Sequence, residues 1–201
     1  MKNFIAMSRT QAKRYTYKQN IEDYIIISIS EPNEEAPKFN RTRHLKDVLH
    51  LYFEDISEVS ETHITMSEQD CNDILNFIDR YKKVNNIIIH CLAGVSRSVS
   101  IKCALEEIYN NISIGVIPKK EKVSSSFTIN IEEILNDKDD IVYIFNKLCY
   151  EKIKEIYKMR ELIKKYRNNP ILYAEEYLGI KLLSYQKVML KMMNRKENKL
   201  K

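Results

Sequence analysis

Residues 85–98 read Asn85-Asn86-Ile87-Ile88-Ile89-His90-Cys91-Leu92-Ala93-Gly94-Val95-Ser96-Arg97-Ser98. Asn85-Asn86 breaks the pattern before it, and the β-branched triplet Ile87-Ile88-Ile89 favours a short strand. A polar loop follows. Beyond it Val99, Ala104, Leu105 and Ile108 recur at helical spacing, predicting a helix from about Arg97 to Tyr109. The order is therefore strand, cysteine, five residues, arginine, helix. A loop that opens into a helix presents free backbone N–H groups to an anion, and the helix dipole favours negative charge there. Gly94 suits a backbone that must turn sharply and come close to a ligand.

The same field acts on Cys91. An ordinary thiol titrates at about 8.5, whereas helix N-termini and nearby cations bring thiols to roughly 3.5–7.5. Arg97 can return over a bound oxyanion as a two-pronged donor, a geometry that Lys cannot present. Ser98 can hydrogen-bond the sulfur when it leaves, Ser96 can hold the loop shape, and His90 can orient the loop through hydrogen bonds. These types in this order predict a phosphate-ester hydrolase. Cys91 is the nucleophile, Arg97 the clamp, and Leu92, Ala93, Gly94, Val95 and Ser96 line the phosphate with Arg97.

Working outward, Tyr24-Ile25-Ile26-Ile27-Ser28-Ile29 reads as a buried strand, and Ser30 to Asn40, with Pro32 and Pro37, as a loop. Val48 to Phe53 reads as a second strand running into a loop at Glu54-Asp55-Ile56-Ser57. Ser67 is a good N-cap, Glu68 and Asp70 place negative charge in a first turn, and Ile74, Leu75, Ile78 and Tyr81 follow at helical spacing. Residues 112–130 read as an irregular excursion and Ile131 to Tyr150 as helix, broken near Asn136-Asp137. Glu151 to Arg167 is a further helix. Asn169-Pro170 and Gly179 bracket a short one, and Ser184 caps the last. Strands alternating with helices predict an α/β fold with a central, largely parallel sheet flanked by helices and a helical C-terminal extension.

The chain has 201 residues, of which 44% are hydrophobic, enough for one ordinary core and a small appendage. Its longest apolar run, Tyr24 to Ile27, is far too short to cross a bilayer, and Ser8, Arg9 and Thr10 interrupt any leader-like stretch. The expectation is a cytoplasmic protein that makes no membrane contact. Cys71, Cys91, Cys103 and Cys149 show no C-x-x-C spacing and predict neither a zinc site nor a disulfide framework. Residues 151–201 hold 14 Lys and Arg against 6 Asp and Glu, a net of +8, while residues 1–150 hold 19 against 22, a net of −3. Such a basic tail suits a polyanion such as nucleic acid, or a solvated Lys-rich helix.

His90-Cys91 through Arg97-Ser98 resembles the signature of the protein tyrosine and dual-specificity phosphatases, His-Cys-x5-Arg-Ser/Thr, at every fixed position. Ser8-Arg9, Ile25 to Ser30 with Glu31-Pro32, the run from Leu49 to Ile56 and the helix from Ser67 extend the resemblance to small bacterial and phage proteins of this type. It covers roughly residues 1–110, and more loosely to 150. It implies a compact α/β phosphatase domain over 1–150, a cysteinyl-phosphate intermediate and no cofactor or metal. Leu92 departs from the acidic residue many relatives carry, and residues 112–130 look longer than the usual connection.

A tyrosyl leaving group needs a proton in the first step, and a water must be activated in the second; one carboxyl group can do both. The resemblance implies an Asp on a loop about thirty to forty residues before the cysteine. Asp55, 36 residues upstream and just past a strand, is the choice. Glu54 and then Glu58 follow it, and a turn-capping Asp55 is the bland alternative.

Residues 169–187, with Tyr185-Gln186, are similar to the start of phage terminase large subunits. No G-x-x-x-x-G-K-[ST] is present, so ATPase activity is not expected. The predicted substrate is a phosphorylated protein, with phosphotyrosine favoured and phosphoserine or phosphothreonine left open by the sequence. The loop from Leu92 to Ser96 has no extra Lys or Arg for further phosphates, which disfavours phosphoinositides and RNA 5′-phosphates. The competing reading is a binding module without turnover, associated with phage DNA packaging, that holds a phospho-ligand, with residues 151–201 on nucleic acid or a packaging component.

Overall fold

The computed structural model describes residues 1–19, 21–56, 62–111, 121–122, 142–143, 146–167 and 169–197. The fold is α/β, as the alternating pattern predicts. Strands β1 (Asn3–Ser8), β2 (Tyr24–Ser30), β3 (Leu45–Tyr52) and β4 (Asn86–Cys91) form one sheet in the order β1-β4-β2-β3. Every pairing in it is parallel. Helices α1 (Arg9–Tyr15), α2 (Glu68–Arg80) and α3 (Arg97–Asn110) flank the sheet. The chain divides into two compact units, Met1–Ile156 and Tyr157–Lys201, and the division falls inside α4 (Lys147–Arg167).

All seven residues of β2 are buried, which requires cover on both faces of the sheet. Tyr24 and Ile26 join Ile88, Met7 and Ala12 in one cluster, with Tyr15 and Phe39 against it. By strand alternation Ile25, Ile27 and Ile29 face the other way. Both α1 and α2 start on capping boxes. Ser8 exchanges hydrogen bonds with Gln11, and Ser67 with Asp70, each box contributing about 1 kcal/mol. The Ser67 cap and the helix after it fall where the sequence places them.

In an all-parallel sheet the carboxyl ends of the strands lie along one edge, and the loops leaving them meet there. The register pairs Ser8 with Cys91, Ser28 with His90, and Ser30 with Tyr52. Residues 8–9, 31–34, 53–56 and 91–97 therefore share that edge.

Two expectations need correction, and two elements carried no expectation. The sequence pattern does not announce β1 or α1: Asn3-Phe4-Ile5-Ala6-Met7-Ser8 lacks clean alternation, and its pairing with β4 and burial of Phe4 and Met7 make it a strand. The helix expected over Ile131 to Tyr150 does not hold at Val142–Tyr143. These residues form a short strand, β6, antiparallel to β5 (Glu121–Lys122), in keeping with their β-branched and aromatic side chains. The helix begins instead at Lys147 and runs unbroken to Arg167. The rest of the 112–130 excursion and residues 131–141 lie outside the described residues. Finally, Ser184 is the first residue of α6 (Ser184–Glu197) rather than its cap, and Gln186 closes that end by accepting from the Leu183 N–H at 2.8 Å.

In the second unit, Asn169 caps α5 (Pro170–Leu172), accepting from Leu172 N–H at 3.1 Å. A π-helical turn, Tyr173–Tyr177, continues it, and Tyr173 and Tyr177 stack with ring centroids 5.3 Å apart. Gly179 follows at φ +66°, the left-handed position expected after a helix end. Among the described residues no helix is long and apolar enough to cross a membrane.

Candidate active site

Cys91 is the last residue of β4 and is buried. The loop after it curls back so that the Gly94 N–H donates to Cys91 Sγ at 3.2 Å. From the other side Ser98, in the first turn of α3, brings its Oγ within 3.3 Å of the same sulfur. A backbone donor and a hydroxyl on one sulfur are what a thiolate needs for stabilisation in a buried place. Gly94 has φ +80°, and a Cβ there would lie 2.4 Å from Ser8 N and 2.5 Å from the Met7 carbonyl carbon. No other residue fits. The loop thus rests on the end of β1, where the Arg9 N–H also donates to Leu92 O at 3.2 Å.

Ser96 precedes α3 and makes no capping hydrogen bond to it. The first amides of this 14-residue helix keep no side-chain partner from their cap residue, and an anion can take that place. Leu92 and Ala93 are exposed at the rim, Val95 is half-buried, and Ser96, Arg97 and Ser98 are buried.

The Arg97 side chain is only 3% exposed, so its charge must be met inside the protein. Nη1 donates to Phe53 O at 2.5 Å, and Nη2 meets Glu31 Oε1 at 2.6 Å. Nε lies 3.8 Å from Asp55 Oδ2 and has no hydrogen-bond partner, although it is buried. A buried guanidinium donor left unpartnered costs free energy unless something else satisfies it. It is a ready donor for an oxyanion. Glu34, beside Glu31, pairs with Arg9, whose Nη2 also reaches Ser30 Oγ.

Asp55 lies beside this arginine. Its Oδ1 accepts from Ser96 Oγ at 2.6 Å and from Asn146 Nδ2 at 2.9 Å. Glu54 is turned elsewhere: its Oε2 takes the Ile64 N–H at 2.9 Å and faces His63 Nδ1 at 3.0 Å. Glu58 lies outside the described residues. The structure therefore gathers Cys91, Gly94 and Ser98 around one sulfur, and Asp55, Ser96 and Arg97 into one hydrogen-bonded and ionic set.

His90 orients the loop from below. It is buried, with Nδ1 3.3 Å from Cys91 O and its ring edge-on to Phe39. Burial pushes its pKa down to about 4, so it stands neutral near pH 7 and acts as a hydrogen-bonding group. The other three cysteines are free and buried. Burial pushes Cys71 up to about 12 and Cys103 up to about 11, and raises Cys149 further. They are inert thiols. Among the described residues no cluster of three or more His, Cys, Asp or Glu is placed to share a metal ion.

Sequence reasoning missed two site residues. Glu31 appears in the Glu31-Pro32 pair, but nothing local ties it to Arg97. Asn146 carries no local signal at all.

No family model matches the chain, and no curated protein matches it. Among solved structures it is similar to a human tyrosine phosphatase-like serine/threonine/tyrosine-interacting protein. That match has 17% identity and a TM-score of 0.43, and covers 70% of this chain and 79% of the other. It is also similar to PTPMT1 in complex with PI(5)P, at 17% identity and a TM-score of 0.42, covering 80% of this chain and 91% of that one. Both likenesses are distant.

Proposed function

We propose that this chain is a cysteine-dependent phosphomonoester hydrolase acting on phosphorylated protein, with phosphotyrosine the favoured ester. The observation that carries the reading is the convergence on Cys91 Sγ of the Gly94 N–H and the Ser98 hydroxyl. It is supported by the buried Nε of Arg97, which has no hydrogen-bond partner.

The chemistry runs in two displacements. Cys91 Sγ attacks phosphorus, an S–P bond forms, and the P–O bond to the leaving group breaks. Asp55 gives its proton to that oxygen. The transferring phosphoryl group spreads charge over three oxygens, which the loop amides and Arg97 receive. In the second displacement water attacks phosphorus, its proton goes to Asp55, and the P–S bond breaks. The departing thiolate keeps the Ser98 hydroxyl as a hydrogen-bond donor. Ser96 fixes Asp55 in reach of the loop, and His90 fixes the backbone at Cys91.

The test is hydrolysis of 4-nitrophenyl phosphate by wild type and Cys91→Ser, under reducing conditions and without added metal. Turnover in wild type that orthovanadate blocks, and its loss in Cys91→Ser, is the expected result. A wild type that binds phosphate but never turns over returns the protein to the binding-module reading.

A further inference from the structure

Asn146 is 2% exposed and sits just before α4. All of its polar atoms are used. Nδ2 donates to Asp55 Oδ1 at 2.9 Å and to Ile56 O at 3.1 Å. Oδ1 accepts from the Cys149 N–H at 3.1 Å, closing the first turn of α4. Its own N–H donates to Ser100 Oγ at 2.7 Å, and its carbonyl accepts from Tyr150 N at 3.3 Å. Ser100 in turn donates to Ser96 O at 3.1 Å. One asparagine thus ties the loop carrying Asp55 to α3, which opens on the phosphate loop, and to α4.

The consequence lies in how the two oxygens of Asp55 differ. Oδ1 takes both the Ser96 hydroxyl and the Asn146 amide, whereas Oδ2 faces Arg97 Nε. With Oδ1 held by two donors, Oδ2 is the oxygen left to exchange a proton. A neutral amide can do this without changing the charge of the site. A lysine there would pair with the carboxylate and hold it ionised, and a second carboxylate would repel it.

We propose that Asn146 is a positioning residue for the proton transfers of Asp55, fixing Oδ1 so that Oδ2 is presented to the substrate. This rests on Asp55 being the acid–base group of the proposed hydrolase.

Asn146→Ser tests it. Serine keeps a side-chain oxygen to cap α4 and removes the amide donor. Two substrates separate positioning from damage to the fold: phenyl phosphate, whose leaving group needs a proton, and 2,4-dinitrophenyl phosphate, whose leaving group departs without one. The expected result is a fall in kcat of about 10-fold or more on phenyl phosphate and a change within about twofold on the dinitrophenyl ester. Asp55→Asn is expected to give the same pattern, larger.

An equal loss on both substrates, or no loss on either, overturns the role of Asn146 while Asp55→Asn keeps its selective loss. If Asp55→Asn itself shows no selectivity, the acid assignment falls and the role of Asn146 falls with it. Should Asn146→Ser fail to fold, Asn146→Asp keeps both shape and cap. The charged and titratable groups facing Asp55 are then Arg97 from α3, with Glu31 paired to it, the Cys149 thiol from α4, and the new carboxyl. Two carboxyls sharing a proton move the alkaline limb of the phenyl phosphate profile up by about one pH unit. An unmoved limb overturns the proposal.

Discussion

The two loops that build this site are held in opposite ways. The phosphate loop, Cys91 to Arg97, is a local device: it begins on β4, ends on α3, and its key contacts to the sulfur span three and seven positions. The acid loop, Phe53 to Ile56, depends on distant side chains. Ser96 reaches Asp55 across 41 positions and Asn146 across 91, while Arg97 takes Phe53 O across 44. A short contiguous loop is fixed largely by its own backbone and the strand and helix at its ends. A loop held by remote donors is only as ordered as the elements that carry them. In the proposed reaction the first loop supplies the nucleophile and the anion cradle, and the second supplies the proton.

Substitutions in the phosphate loop should therefore cost more than substitutions in the acid loop. The largest effect is expected for Cys91→Ser, with turnover of aryl phosphates down by about 10⁴-fold or more and orthovanadate binding retained in calorimetry. Arg97→Lys comes next, at about 10²–10³-fold in kcat/KM. Lysine keeps a charge but cannot meet Phe53 O, Glu31 and a phosphate oxygen together. Asp55→Asn is expected to lower kcat by about 10²-fold on 4-nitrophenyl phosphate with phosphate affinity preserved. Were Asp55→Asn as damaging as Cys91→Ser on every substrate, the division of labour between the loops would be wrong.

The smallest effect is on stability. His90 supports the phosphate loop in its neutral form, with its pKa lowered from 6.5 to about 4 by burial. As pH falls below 6.5 the unfolded chain takes up the proton first. The stability contributed is complete above that pH, is lost progressively down to about pH 4, and then levels off. The share lost between pH 7.5 and 4.5 is roughly 2–3 kcal/mol. Urea unfolding at pH 7.5 and 4.5 measures it, and His90→Asn should lose correspondingly less over the same interval.

Much of the architecture was legible in local pattern. The Ile25 to Ile29 run, the Val48 to Phe53 run, Ile87 to Ile89 and the Ser67 cap each announce an element, and the parallel sheet follows from their alternation with helices. Elements that depend on a partner were not legible. Asn3–Ser8 becomes a strand through its pairing with β4, and Val142–Tyr143 pairs with Glu121–Lys122 instead of continuing a helix. Glu31 was quoted in the sequence without its purpose, because only the sheet edge brings it to Arg97.

By itself the sequence determined which residues form the loop proposed to carry the nucleophile, since a strand, a tight glycine turn and a helix start are encoded within a dozen neighbouring positions. Only the tertiary structure decided which acids surround Arg97, which oxygen of Asp55 is tied down, and that Asn146 does the tying. Those are contacts between side chains far apart along the chain, and local spacing carries no record of them. They come into being when four parallel strands set their carboxyl ends side by side.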